Sequence, residues 1–111
     1  MQHIVEGVIV VNTETIAGKV ITKNLGVVGG STVRAKNVGR DIFAGLKNIV
    51  GGELTAYTEL LDESRNQAIS RMIADATARG ANAVINVRFA TSAVTAGASE
   101  LFAYGTAVVV E

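Results

Sequence analysis

The chain contains no cysteine, no proline and no tryptophan, and a single histidine. Without cysteine there is no disulfide framework, no thiolate metal site and no cysteine nucleophile, which agrees with a reducing compartment. Without proline, the turns fall to the 12 glycines. His3 stands alone near the N-terminus, so an intrachain pair of imidazole ligands is excluded. Three Phe, two Tyr and no basic cluster leave nucleic-acid binding without its stacking platform or its electrostatic footprint. Ten basic residues balance ten acidic ones, so nothing draws the chain to an anionic membrane. No stretch approaches the roughly 18 apolar residues of a membrane helix. Met1-Gln2-His3-Ile4-Val5-Glu6 has neither the basic start nor the apolar run of a signal peptide. The expectation is a soluble, cytoplasmic protein with neither nucleic acid nor membrane among its partners.

What the chain has in excess is apolar surface. Hydrophobic residues make up 49% of its 111 positions and charged ones 18%, against about 25% charged in an average domain. One domain, residues 1–111, is the natural division at this length. A domain this small has much surface for its volume, so so little charge implies a second buried surface, against copies of itself.

The order of elements reads as strands, helices, strands. Val8-Ile9-Val10-Val11-Asn12-Thr13 is a β-branched strand, and Lys19 to Val28 continues that character after Gly18. His3 falls in a tail or first strand. Thr13-Glu14-Thr15 is too polar for a core and marks a rim or turn. Gly26, Gly29 and Gly30 interrupt apolar strand sequence, the mark of a bulge, a bend or a close backbone approach. A phosphate-cradling loop would need a helix directly after them. Ser31 to Lys36 alternates as more strand instead.

Asn37 can cap a short helix from Val38 to about Ile49, stopped by Gly51-Gly52. A longer helix is predicted from Thr55 to Arg79, with its apolar stripe at Tyr57, Leu60, Leu61, Ala68, Ile69, Met72, Ile73 and Ala76, and Gly80 as its stop. Ala83 to Phe89 is a strand in which Ile85, Val87 and Phe89 face one way and Val84 is out of phase. Thr91 to Ser99 reads as a turn, and Leu101 to Val110 as the last strand. The fold class is therefore α+β, order β-β-α-α-β-β, an antiparallel sheet packed on one face by the long helix.

Candidate chemistry is sparse. Glu59, Asp62 and Glu63 bring three carboxylates to one helix face, where a solvated surface explains them better than a cation site. Arg71, Asp75 and Arg79 form an i, i+4 surface ladder. Ser92 and Ser99 have no base in prospect, which removes a serine-hydrolase reading. The polar group that flanks a glycine-rich junction of two helices is Arg40 and Asp41 with Glu53 and Tyr57. These four are the candidate ligand-binding residues, and capping is their alternative role.

The run from Gly39 to Glu53 (Gly-Arg-Asp-Ile-Phe-Ala-Gly-Leu-Lys-Asn-Ile-Val-Gly-Gly-Glu) is distinctive as a whole. Together with Thr55-Ala56-Tyr57, Arg79-Gly80-Ala81-Asn82-Ala83-Val84, Thr13 to Gly18, Gly26 to Gly29 and Gly105 to Val108, it resembles the YbjQ-like family of small proteins. The resemblance spans nearly the whole chain from about Val8. It implies a dodecin-like α+β subunit with a curved antiparallel sheet, ring assembly as a pentamer, and a heavy-metal-binding label. A metal ion enters as a cofactor through that label alone. Asp41, Glu53 or Glu100 would offer oxygen ligands to a hard cation, and no soft ligand set accompanies them. The function expected is a homo-oligomeric ring that holds a small ligand or ion. Its alternative is an enzyme with an active site between subunits.

Overall fold

The computed structural model describes residues 3–34, 55–95 and 98–111. They form strands β1 (His3–Val5), β2 (Val8–Val10), β3 (Ile21–Arg34), β4 (Ala83–Thr95) and β5 (Ala98–Val110), with helix α1 (Thr55–Ala78) between β3 and β4. The short helix expected over Val38 to Ile49, with its Gly51-Gly52 stop, lies outside the described residues. One five-stranded sheet has the order β1-β2-β4-β5-β3. Every neighbouring pair is antiparallel except β2–β4, which runs parallel. The sheet is therefore mixed, not wholly antiparallel as expected. A crossover through β3 and α1 separates β2 from β4, so no hairpin fixes their relative direction.

Local chemistry explains most boundaries. β1 and β2 join through Glu6 (φ 53°) and Gly7 (φ 80°), with Val5 opposite Val8: a two-residue turn with both central residues left-handed, which matches the twist of a hairpin. β2 stops at Val10, short of the Thr13 expected, and residues 11–18 form an irregular segment. α1 ends as predicted: Gly80 (φ 86°) donates to Thr77 O and Ala81 to Ala76 O, a two-bond glycine stop. Asn82 then ties the junction to the last strand, its Nδ2 donating to Val110 O at 2.9 Å and its Oδ1 accepting from Val110 N at 2.8 Å.

Within the turn expected from Thr91 to Ser99, residues 91–95 and 98–99 are strand instead, and residues 96–97 lie outside the described residues. Thr91 faces Leu101, Ser92 faces Glu100 and Ala93 faces Ser99 in one long hairpin. These small polar residues carry no apolar alternation because neither flank of the hairpin there is buried in the core. Threonine is nonetheless a good strand former.

Each face of the sheet has its own apolar cluster. On the helix side Val8, Val10, Val28, Val84, Val87, Ala103 and Ala107 pack against Ala68, Met72, Ile73 and Ala76 of α1. On the other side Ile16 from the 11–18 segment covers Ala83, Ile85, Val108 and Val110. Ser64, Ala68, Met72 and Ala76 recur every four residues, and three of the four are small. α1 can therefore sit close to the sheet, lying mainly on β3, less on β5 and only slightly on β4.

Gly30 sets that closeness. An ideal Cβ there would fall within 2.6 Å of Ala68 O and Arg71 Cβ and nearer still to Met72 N. The helix backbone rests directly on the strand, and Thr32 Oγ1 donates to Ser64 O (3.4 Å) one turn away. Gly30→Ala should then push the helix off and lower stability by about 1–3 kcal/mol, the usual cost of overpacking. Met72→Ala, which empties a fully buried position, should cost about 2–5 kcal/mol. Equilibrium urea unfolding checks both, and a neutral Gly30→Ala would contradict the contact.

Candidate functional site

The strand alternation read across Ala83–Phe89 is broken by a bulge. Ile85 pairs with Thr106 but Arg88 with Tyr104, so three steps on β4 match two on β5. Asn86 carries the extra residue at φ 54°, a conformation asparagine tolerates better than most side chains. The bulge changes parity. Val84 and Val87 both face the helix while Ile85 faces Ile16, which corrects the expectation that Ile85, Val87 and Phe89 share a face. Opposite the bulge, Gly105 is needed because a Cβ would meet Ile85 O and Val84 Cγ1 at 2.8 Å.

The bulged backbone is satisfied by the chain leaving β2. Asn86 N donates to Thr13 O and Val87 N to Val11 O, each at 3.0 Å. Arg88 Nη1 donates to Asn12 O at 2.8 Å and to Val87 O at 3.0 Å. Thr13 Oγ1 donates to Thr15 O at 2.7 Å, which turns the segment away from the sheet. Where this segment departs from the sheet beside α1, a cleft of about 780 Å³ opens. Its walls are Val10, Val11, Ile16 and Ala17, Ile69 of α1, and Val87 and Phe89 of β4; Asn12, Thr13 and Thr15 are its polar members. The volume suits a small molecule. None of these lining residues is titratable, so the described walls offer binding by apolar contact and neutral hydrogen bonds, not acid–base chemistry.

The residues singled out from sequence are not in this cleft. Arg40, Asp41 and Glu53 lie outside the described residues. Tyr57 sits on the first turn of α1, with its side chain outside them too. Glu59, Asp62 and Glu63 are exposed, and Asp62 pairs with Arg65 at 2.5 Å. Among the described residues no group of three or more His, Cys, Asp or Glu could hold a metal ion. Ser92 Oγ lies 3.5 Å from Glu100 Oε1, both on the open hairpin. No described helix is long and apolar enough to cross a membrane.

The Arg71–Asp75–Arg79 ladder does more than pair along the helix. Asp75 Oδ2 accepts from Gly29 N at 3.3 Å, Arg79 Nη1 donates to Leu25 O at 3.2 Å, and Arg71 Nη1 donates to Ser31 O. Arg79 Nε also lies 3.4 Å from Asp75 Oδ1. Arg71 and Asp75 of α1, with Arg79 just past its end, thus close the outer edge of β3 with side chains. Spacing alone shows a ladder; only the nearness of α1 to β3 shows where it reaches. Asp75→Ala should speed amide exchange of Gly29 and cost about 0.5–1.5 kcal/mol, the net worth of one hydrogen bond. Unchanged Gly29 exchange would contradict the role.

The described residues form an α+β fold, one helix packed on a five-stranded mixed sheet. The same fold occurs in a crystal structure of a protein of unknown function from Pediococcus pentosaceus, assigned to the DUF74 family; the TM-score is 0.61 at 14% identity, covering 96% of this chain and 100% of that one. The chain belongs to the YbjQ_1 family, whose description is "Putative heavy-metal-binding" and whose model matches residues 8–111. Among its relatives, a UPF0145 protein of Hahella chejuensis is 66% identical over 103 residues, covering 93% of this chain and 99% of that protein. A UPF0145 protein of Methanosarcina acetivorans is 59% identical over 100 residues, covering 90% and 94%.

Proposed function

We propose that the chain works as a cytoplasmic homo-oligomeric ring, a dodecin-like pentamer, that holds a small ligand or ion, and that it is not an enzyme. One observation carries this reading: a short chain leaves large apolar side chains in the open. Ile4, Val20, Val27, Val33 and Phe89 are 65%, 68%, 68%, 56% and 46% exposed. Scattered single apolar residues are ordinary on a monomer, but a set this size on so small a chain suits a surface covered by copies. The dimensions agree. The described residues extend 52 × 30 × 19 Å with a radius of gyration of 16.6 Å, where a compact chain of about 100 residues has about 13 Å. A subunit whose long hairpin stands out from its core gains most from neighbours.

The ligand side of the proposal has two candidate places. The cleft beside Phe89 suits an uncharged, largely apolar molecule. Arg40, Asp41, Glu53 and Tyr57 would take a charged ligand or a hard cation, and they are where the heavy-metal label of the family would be tested. The described walls of the cleft carry the hydroxyls of Thr13 and Thr15 but no base beside them, which favours binding over catalysis.

Native mass spectrometry of protein purified without a metal-affinity tag tests the assembly and the ligand together. A closed ring with a stoichiometric extra mass is the expected result, and Asp41→Ala with Glu53→Ala should remove that mass without changing the subunit count. A monomer at micromolar concentration would contradict the proposal. A ring with no added mass would contradict tight ligand retention and leave a scaffold.

A further inference from the structure

We infer that a second copy of the chain adds its β1 to the free edge of β4, beside the cleft. This rests on the homo-oligomer reading and names the surface through which the copies meet. The slot alongside β4 is half filled by the chain itself. Ile9 N bonds Asn82 O, Val11 N bonds Val84 O, and Thr13 O and Val11 O take Asn86 N and Val87 N. Beyond Val87 the filling segment turns away, and from Phe89 to Thr95 β4 has no partner on that side among the described residues.

Alternation fixes which groups are left over. Val87 N points away from β5, so the N–H and C=O of Phe89, Thr91 and Ala93 do the same. Natural sheets protect such an edge with lysine, proline, an inward charge or a bulge. Phe89-Ala90-Thr91-Ser92-Ala93-Val94-Thr95 has no charged residue and no proline, and its pairing with β5 is regular from Phe89 to Ala93, shifting only between Ala93 and Thr95. The other long edge is treated oppositely, for β3 is closed by Arg71, Asp75 and Arg79. One edge is blocked and one is left ready.

The sheet offers one further open edge among the described residues, the outer side of β1. His3 and Val5 pair with Val10 and Val8 across the tight turn, which leaves the N–H and C=O of Ile4 pointing outward. The Ile4 side chain is 65% exposed and is the kind of group the apolar cleft beside Phe89 would bury. β1 and the β4 edge are different surfaces of one chain, so their pairing is head-to-tail, the contact that generates rings.

Residue-resolved hydrogen exchange on the unmodified protein, assembled and then diluted to dissociation, reads the contact directly. The amide of Ile4 and the one β4-edge amide it pairs with, among Phe89, Thr91 and Ala93, should be protected at least about tenfold more in the assembly than in the monomer. Free exchange of these amides within an intact assembly would overturn the inference while leaving the ring reading standing. Protection that persists in the monomer would also overturn it, because the chain would then cover its own edge. Ile4→Pro removes the one outward N–H of β1 and no bond of the β1–β2 pair. It should lower the subunit count with an unchanged circular dichroism spectrum, and an unchanged count would sink the pairing. A wild type that never assembles would remove the oligomer reading and this inference together.

Discussion

The structure depends on one close contact, the backbone of α1 resting on β3 at Gly30. No side chain stands between them, and Ser64, Ala68 and Ala76 keep the rest of the seam thin. The contact fixes the helix toward one side of the sheet. It brings Arg71, Asp75 and Arg79 within reach of the β3 edge. It also leaves β4 far less covered by the helix than β3 or β5. Edge protection on one side and an open cleft on the other are two consequences of the same placement.

The bulge at Asn86 is the second constraint. An extra residue there lets Val84 and Val87 share the helix face, while Ile85 joins the small cluster under Ile16. Its freed amides are taken by Thr13 and Val11, so the irregular segment after β2 is held in place as a lid on the second face. Gly105 and Asn86 therefore belong together: one gives room, the other supplies the backbone conformation. The cleft begins where this arrangement ends.

Much of this was legible in the residues. The 3.6-residue apolar stripe placed α1, Gly80 placed its end, and Gly29-Gly30 inside strand sequence pointed to close backbone approach, which Phe102 and α1 confirm on opposite faces. Other features were not. A bulge erases alternation locally, so Val84 looked misplaced when it was Ile85 that had changed face. The parallel β2–β4 pair depends on a crossover that no local signal encodes. Thr91 to Ser99 looked like a turn because a hairpin lying outside the core has no apolar face to reveal it. The candidate site residues were chosen for their polarity near glycines, whereas the described cleft is built from Val, Ile, Phe and Thr that read as ordinary strand.

Held on β3, the helix leaves the β4 edge beyond Val87 open, and we propose that a neighbouring copy covers it. Hydroxyl-radical footprinting across a dilution series tests this most directly, with Phe89 as the reporter and fully buried Met72 as the internal reference. Phe89 should be shielded at high concentration and become reactive on dilution, while Met72 stays shielded throughout. Phe89 equally reactive at every concentration would contradict it.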